Sequence, residues 1–490
     1  MPNQIQIRRL IKNNIEILIL FILSTAFFIF QNNMNLPWDF SAYILNAKYI
    51  FYDGIYFEVY RSPLPSLLFG FFLLFKGLAN PLYIIFVSCL FLYSNVSLAN
   101  TAFEKSKIEK RYIQFFFYFF SLSFFALHYS LSAGTELLSL AFFELFLAFL
   151  IRGKISGHFL GLAILSRYTF IPYSIFLIFN KNYKKILLNL LTFLAVLFPW
   201  FLFNYIKFGN WFASIIDSYA MNIFYRDYLI QQLNPLILIK AIGIFLPFLI
   251  LGLVVSTISF LKQKKKFSKS NLILLLFALI SITIILDFNS IPLKIERYLF
   301  NLTLPIAFFS TMGSLFLIRK IKNLKKPLVI IFLIISITSI FILSFESYQK
   351  RHWDDSFYSA AEDIKILDLQ DCKIISPHWV PIHYLTGNAY PLKEDPYGSI
   401  QKNEILLIFK NISSLDHSFT SESLEQFPAL HETDKYIFLA KENLTKNNCA
   451  KTYVSDQTYT TKHCEILASK FSKFHLEKTA LNTCNAINRI

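Results

Sequence analysis

Apolar runs long enough to cross a bilayer recur through the first 345 residues, and this constrains the fold more than any other feature. A helix needs about 20 apolar residues to span the hydrocarbon core. The runs at 15–31, 81–101, 112–131, 137–151, 186–206, 236–261, 271–287, 298–318 and 327–345 meet or approach that length. Short cationic clusters punctuate them: Arg8/Arg9/Lys12, Lys105/Lys107/Lys110/Arg111, Arg152/Lys154, Lys181/Lys184/Lys185, Lys262 to Lys269 and Arg319 to Lys326. The clusters fall at alternate ends of successive runs, where positive charge marks the cytoplasmic side. The chain therefore reads as an α-helical polytopic membrane protein.

Composition agrees. Of 490 residues, 55% are hydrophobic and 56 are Phe, against about 45–50% apolar residues in soluble domains. The net charge of +16 would fit a nucleic-acid partner if it were spread over a soluble surface. Its distribution excludes that reading. Residues 1–345 carry 31 Lys/Arg against 12 Asp/Glu, whereas residues 346–490 carry 16 against 19. The surplus belongs to the membrane part and is explained by topology.

The stretch 156–180 is interrupted by Ser166-Arg167-Tyr168, too polar for one ordinary span. It reads as two short helices meeting near Arg167 at the outer side. About eleven crossings result, with the N-terminus inside and the tail outside. Segment 64–76 suits an interfacial or re-entrant helix rather than a span. No cleavable signal peptide and no solenoid repeat is evident. The domains expected are a transmembrane domain over 1–345 and an extracytoplasmic one over 346–490. The latter mixes strand-like runs (373–376, 405–409, 436–440) with helix-like ones (356–367, 464–474), which predicts a small α/β domain. Cys372, Cys449, Cys464 and Cys484 fall within it, and an even count in an exported domain predicts two disulfides of undetermined pairing. Cys89 lies in a span and reads as a small apolar side chain. Asn411-Ile412-Ser413 and Asn443-Leu444-Thr445 match the short glycosylation acceptor pattern.

This topology puts eight of the 12 membrane-domain acids on the outer face: Asp39, Asp53, Glu58, Glu136, Asp217, Asp227, Asp287 and Glu296. Arg61, Arg167, Lys294 and Arg297 join them. Asp39 follows the first span within Pro37-Trp38-Asp39-Phe40-Ser41-Ala42-Tyr43. A carboxylate at the membrane surface is costly for packing alone. Twenty-two residues later Arg61-Ser62-Pro63-Leu64-Pro65 brings a cation on a rigid turn to the same surface. Acid, cation and apolar floor suit chemistry on a lipid-linked anion.

These residues carry a resemblance. The runs Trp38 to Tyr43, Asn46-Ala47-Lys48, Asp53 to Tyr56 and Tyr60 to Pro65 resemble the first external loop of protein-mannosyltransferase-like membrane glycosyltransferases. That group includes the aminoarabinose transferases acting on lipid A. Gly134-Thr135-Glu136-Leu137, Gly161 to Tyr168, Pro199-Trp200 with Asn204, Phe208-Gly209-Asn210 and Glu296-Arg297-Tyr298-Leu299 follow in matching order, so the resemblance covers about residues 10–320. It implies a GT-C fold of many helices, a catalytic loop over 32–63, a polyprenyl-phosphate sugar donor, and inversion at the sugar carbon. One position departs: Phe40 follows Asp39 where many relatives carry Glu.

Elementary chemistry points the same way. Phosphate leaves a sugar as a stable anion, so transfer needs a base for the acceptor hydroxyl and cations for the phosphate. Asp39 is the candidate base; helix capping is its plain structural role. Arg61, Arg167 and Arg297 are candidate phosphate ligands. Arg61 could instead snorkel to the interface. Arg167 could pair with Glu136, and Arg297 with Glu296 or Asp287. Lys48, Asp53, Glu136 and Tyr168 are candidate substrate contacts. Glu58 and Asp53 could equally be solvated loop residues, and His128 reads as an interfacial histidine. Asp217 and Asp227 lie in a Tyr-rich loop (Tyr219, Tyr225, Tyr228) that could wall a lipid or form an interfacial belt.

No His/Cys cluster has metal-ligand spacing, and an oxygen-only cation site from Asp39, Asp53 and Glu58 stays conceivable. No nucleotide fingerprint occurs, which favours a lipid-carried donor with a protein, lipid or glycan acceptor. Two readings compete with a transferase. A lipid-linked-sugar flippase would want ionisable groups near the midplane and broken helices in both halves, and Glu144 is the main residue of that kind. A polymerase or ligase of surface glycans would place its key residues in a late external loop.

Overall fold

The structure is a computed structural model. It describes residues 14–131, 134–179, 182–219, 222, 231–232, 234–262, 269–291, 294–321, 323–391, 403–410, 427–441, 444, 448–450 and 469. Tyr225, Asp227, Tyr228, Asn411, Asn443, Cys464, Cys484 and nearly all of the run 464–474 lie outside the described residues.

Among the described residues, seven stretches are long and apolar enough to cross a membrane: Ile15–Met34, Pro63–Ala102, Tyr183–Phe208, Pro235–Leu261, Asn271–Ser290, Glu296–Lys320 and Lys325–Ile366. The remaining expected crossings are shorter or broken. The run 112–131 splits into Lys110–Ser121 and Phe124–Tyr129, where the Ser123 hydroxyl caps the second piece at Ala126 N, 3.2 Å away. Glu136–Ile151 has 16 residues, almost all buried. Helix breaks at membrane depth are tolerable where protein rather than lipid surrounds them, and these pieces lie inside the bundle.

In chain order the helices are α1 Ile15–Met34, α2 Trp38–Phe51, α3 Pro63–Phe72, α4 Ala79–Ala102, α5 Lys110–Ser121, α6 Phe124–Tyr129, α7 Glu136–Ile151 and α8 Gly157–Ser166. They continue with α9 Tyr183–Phe208, α10 Ala213–Tyr219, α11 Pro235–Ile242, α12 Leu246–Lys262, α13 Lys269–Ser290, α14 Thr303–Lys320 and α15 Lys325–Ile366. The segment 63–102 is not one straight rod. Lys76 takes φ 49° and ψ −121° inside the turn Leu73–Leu78. The Phe69 and Tyr83 rings consequently stack at 4.0 Å. A continuous helix would hold them about 21 Å apart, so α3 doubles back on α4. The break expected near Arg167 is also present: α8 ends at Ser166, Arg167 is extended, and Tyr168–Ile178 follows as 3-10 helix.

Aromatic packing fills the bundle. Phe119 and Phe332 stack at 4.3 Å, and Phe277 and Phe308 at 3.9 Å. Helices α12 and α14 meet through glycines: a Cβ on Gly252 would fall on the Phe309 carbonyl, and one on Gly313 on the Phe248 carbonyl.

The tail is a small mixed α/β unit. Helix α15 runs unbroken from the membrane part into it through residue 345. Strands β1 Ile374–Ser376, β2 Ala389–Pro391, β3 Ile405–Phe409, β4 Ala429–Glu432 and β5 Tyr436–Ala440 form one sheet of order β2-β1-β3-β5-β4. β1 lies parallel to β2 and β3, while β5 is antiparallel to β3 and β4. Helix α16, Trp379–Thr386, connects β1 to β2. Cys372 and Cys449 form a disulfide.

Candidate active site

Helix α2 begins just after Pro37, the N-cap with extended backbone at φ −67° and ψ 131°, so Trp38 and Asp39 open its first turn. Asp39 therefore stands in that turn, where the helix dipole favours a carboxylate. It does not serve as the side-chain cap. Its Oδ1 lies 2.5 Å from Arg61 Nη1 and its Oδ2 lies 2.5 Å from Arg297 Nη1. Arg61 also donates from Nε to Glu58, which is fully buried and accepts a hydrogen bond from the Tyr56 hydroxyl. Glu58 is held by its backbone as well: Asn46 Nδ2 donates to Glu58 O at 3.0 Å, and Glu58 N donates to Asn46 Oδ1 at 2.8 Å. Arg61 is thus no snorkelling side chain; it is buried between two carboxylates.

Glu136 opens α7 with its side chain wholly buried. Its Oε1 accepts from Arg297 Nε and lies 2.6 Å from Arg167 Nη1, an ion pair outside hydrogen-bonding angles. Three arginines and three carboxylates from five elements thus converge on one point. Burial alone would push the Asp39 carboxyl up. Arg61 and Arg297 outweigh it and hold the group well below the usual carboxylate range.

Two cavities meet at this cluster. One, of about 430 Å³, is lined by Arg61, Arg167 and Arg297 together with Tyr43, Tyr60, Tyr168, Tyr219, Tyr298 and Asp287. The other, of about 700 Å³, is lined by Gln31, Asn32, Asn35, His128, Glu346 and Lys350. Trp38, Asp39 and Arg297 face both. Asp39 therefore stands in the shared wall.

The motif residues around Tyr168 have a common purpose. Trp200 Nε1 lies 3.0 Å from the Tyr168 hydroxyl and 2.9 Å from Ser214 Oγ. Asn204 Nδ2 donates to the same Ser214 Oγ at 2.9 Å. This network fixes the Tyr168 ring on the cavity wall. Ser62 Oγ donates to Ser166 O at 2.6 Å, tying the Arg61 turn to the break beside Arg167.

Several expectations change. Arg297 pairs with neither Glu296 nor Asp287. It is the second residue of a 3-10 helix, Glu296–Leu302, where consecutive side chains point about 120° apart. Glu296 accordingly faces Tyr129 and Lys240 at 3.4 Å each, leaving Arg297 to face Asp39 and Glu136. Lys48 and Asp53 line neither cavity. Lys48 Nζ sits 5.4 Å over the Tyr384 ring of the tail. Asp53 is exposed, takes φ 54° and turns the chain out of α2, as a short polar side chain can. Lys294 Nζ donates to the Phe288 and Asn289 carbonyls at 2.9 Å, closing the end of α13. His128 lines the larger cavity, 3.8 Å from Glu346. Glu144 is enclosed by Ser94 (2.6 Å) and Asn95 (3.1 Å), off both cavities. Among the described residues no three His, Cys, Asp or Glu side chains are placed to hold a metal, so Asp39, Asp53 and Glu58 do not form a cluster.

Sequence reasoning underweighted Glu58, which is held by Tyr56 and Arg61 beside it and by Asn46 of α2. It did not single out the cavity-lining Tyr43 and Tyr60, which stand inside the motif runs, or Lys350, which has no local signal.

An arginine–carboxylate cluster between two cavities, beneath a small disulfide-linked domain and within a helical bundle, defines a polytopic membrane protein of GT-C-like fold. Among solved structures the chain is similar to the crystal structure of ArnT from Cupriavidus metallidurans bound to undecaprenyl phosphate. The TM-score is 0.56, with 87% of this chain and 98% of that chain covered at 9% identity. At that identity the likeness establishes the fold. No family model matches the sequence, and no curated protein matches it.

Proposed function

We propose that this protein is an inverting membrane glycosyltransferase that moves one sugar from a polyprenyl phosphate to a hydroxyl group. The observation that carries the reading is Asp39, held between Arg61 and Arg297 in the wall shared by two cavities. The smaller cavity, with its three arginines and aromatic lining, suits the donor's sugar phosphate. Its volume lies in the range of ligand pockets, about 300–1,000 Å³. The larger cavity suits the acceptor. ArnT, the similar solved structure, is bound to undecaprenyl phosphate, which supports a polyprenyl-phosphate donor here.

In the reaction the acceptor oxygen attacks the anomeric carbon and its proton passes to Asp39. The bond from that carbon to the phosphate oxygen breaks, and polyprenyl phosphate leaves with the electron pair. One displacement inverts the sugar carbon. Arg61, Arg167 and Arg297 offset the charge on the leaving phosphate. Within the protein these guanidiniums pair with carboxylates, so Asp39 is a weak base until a substrate competes for them. A donor phosphate competes for Arg61 and Arg297, loosens their hold and strengthens the base as the substrate arrives. The outer-face orientation of the site rests on the distribution of cationic clusters.

The test is sugar transfer in membranes containing the intact chain or Asp39→Asn, with radiolabelled polyprenyl-phosphate sugars as donors. Transfer by the intact chain alone, at equal expression, supports the reading. Equal transfer by both removes Asp39 from the mechanism. Movement of lipid between leaflets without transfer would favour a flippase.

A further inference from the structure

The catalytic loop is held at both ends by one side chain of the tail. Trp379 opens α16 and is buried. Its ring meets the Trp38 ring edge-on at 5.8 Å and the Tyr56 ring at 4.7 Å. Trp38 immediately precedes Asp39. Tyr56 donates its hydroxyl to Glu58, Glu58 accepts from Arg61, and Arg61 reaches the other oxygen of Asp39. Trp379 is thus wedged between the two chain segments that set the geometry of Asp39 and Arg61.

The surroundings fix the wedge. Ala42 and Leu45 of α2 and Tyr56 share one apolar cluster with Phe357, Ala360, Ile364, Ile374 and Val380 of the tail. His383 Nδ1 lies 2.7 Å from Ala389 O, tying α16 to β2, and the His383 ring lies 5.4 Å from Tyr56. Cys372, inside this cluster, is bonded to Cys449. A freely hinged lid would leave an apolar core of this kind divided between two parts, exposing each whenever it opened.

We infer that Trp379 is a positioning residue: the tail acts through it to hold Asp39 and Arg61 in reacting geometry. The inference rests on the transferase reading for its kinetic consequences and on geometry alone for its structural ones. A misplacement of about 1 Å in a reacting group costs on the order of 100-fold in rate. Arg167 and Arg297 are also anchored by Glu136, outside this contact, and so keep their grip on a donor phosphate. Loss of Trp379 should therefore lower kcat far more than it raises the donor KM.

The experiment uses the full-length protein in proteoliposomes with four variants: Trp379→Ala, Trp379→Phe, Tyr56→Phe and, as control, Leu407→Ala. Leu407 is buried in the tail's sheet and belongs to the same apolar cluster as Tyr56 and Trp379, so its truncation loosens that cluster without removing the wedge. The first readout is amide hydrogen exchange over residues 52–61; the second is kcat and KM for a radiolabelled polyprenyl-phosphate sugar. Trp379→Ala should speed loop exchange and lower kcat by about 100-fold, with KM changed by less than about threefold. Trp379→Phe should recover most of the rate, and Tyr56→Phe should lose about tenfold through its missing hydrogen bond to Glu58. Leu407→Ala should lower the tail's melting temperature without either effect. Unchanged loop exchange in Trp379→Ala overturns the inference, as does an equal kcat loss in Leu407→Ala at a matched melting temperature. Faster loop exchange combined with no transfer by the intact chain supports the positioning and overturns the transferase reading instead.

Discussion

Asp39 and Arg297 are 258 residues apart in sequence, yet Asp39 Oδ2 lies 2.5 Å from Arg297 Nη1. The contact joins the first turn of α2 to the turn that leads into α14, so the site exists only once most of the bundle has closed. Under the proposed mechanism Asp39 serves two purposes, as counter-ion to the arginines and as base once a donor phosphate competes for them.

Replacing Asp39 by Asn should separate these purposes. Transfer should fall by at least about 100-fold, the lower range for a general base. Binding of polyprenyl phosphate should become tighter, because a competing anion has gone from Arg61 and Arg297. Affinity measured on purified protein beside turnover decides it; weaker binding would argue that Asp39 helps to hold the donor.

The acid limb of the pH profile should depend on which parameter is measured. In the free protein Asp39 is held well below the usual carboxylate range by Arg61 and Arg297. A carboxylate with a depressed folded value stays ionised as pH falls past its unfolded value of about 3.9. Its contribution to stability is present above that value and is lost only as pH falls through the folded one. The limb of kcat/KM, which reports free enzyme, should therefore lie below the limb of kcat, which reports the complex where phosphate shares the arginines. Coincident limbs would show that the donor does not loosen the clamp.

Arg297→Lys should behave as a severe change. A lysine cannot reach Asp39 and Glu136 with two nitrogens of one rigid fork. The donor KM should rise about tenfold, equivalent to about 1.4 kcal/mol. Arg297→Met leaves buried Glu136 with Arg167 and the Thr135 hydroxyl, and breaking a buried pair typically costs about 3–5 kcal/mol. Thermal unfolding of the purified variants should rank intact, Lys, then Met.

Acid should weaken the tail before the membrane part. Burial lowers both His378 and His383 to about 4, against about 6.5 in an unfolded chain. Between those values the unfolded tail binds more protons than the folded one, so stability rises with pH across that window. Lowering pH from 6.5 toward 4 should lower the tail's melting temperature, and His383→Gln should flatten the dependence. A pH-independent melting temperature over that range would contradict the burial of these rings.

Gly252→Leu should prevent α12 from seating on α14, because even a Cβ there meets the Phe309 carbonyl. Overpacking of this kind costs about 1–3 kcal/mol or more where backbone cannot yield. Yield of folded protein in detergent should drop sharply, while Gly77→Leu, with no atom within 4 Å of its Cβ, should be tolerated.

The fold was legible because hydropathy and charge clusters act locally and repeat along the chain. The break at Arg167 could be read from three polar residues in an apolar run, and β1, β3 and β5 from β-branched and aromatic runs. Membership of the candidate site was legible for Asp39, Arg61, Arg167, Glu136 and Arg297 because each is an ionisable residue at one expected membrane face. Their pairing was not. It depends on the 3-10 phase that sends Glu296 and Arg297 apart, and on the close packing of α2, α7 and the Arg167 break. Lys48 and Asp53 carried the same polar signal as Asp39 but sit where α2 has already turned away from the cavities. The Trp38–Trp379 contact had no local signal, since it joins residues from opposite ends of the chain.

Helix α15 has 42 residues, roughly 60 Å at 1.5 Å per residue, whereas the hydrocarbon core is about 30 Å thick. Half of one rigid strut therefore stands outside the lipid and packs against α16. A helix of this kind meets a thicker or thinner bilayer by tilting rather than by shortening. Any tilt is delivered as a lever stroke to Trp379 and the loop it braces. For the transferase proposed above, turnover should therefore vary with acyl-chain length in the surrounding bilayer.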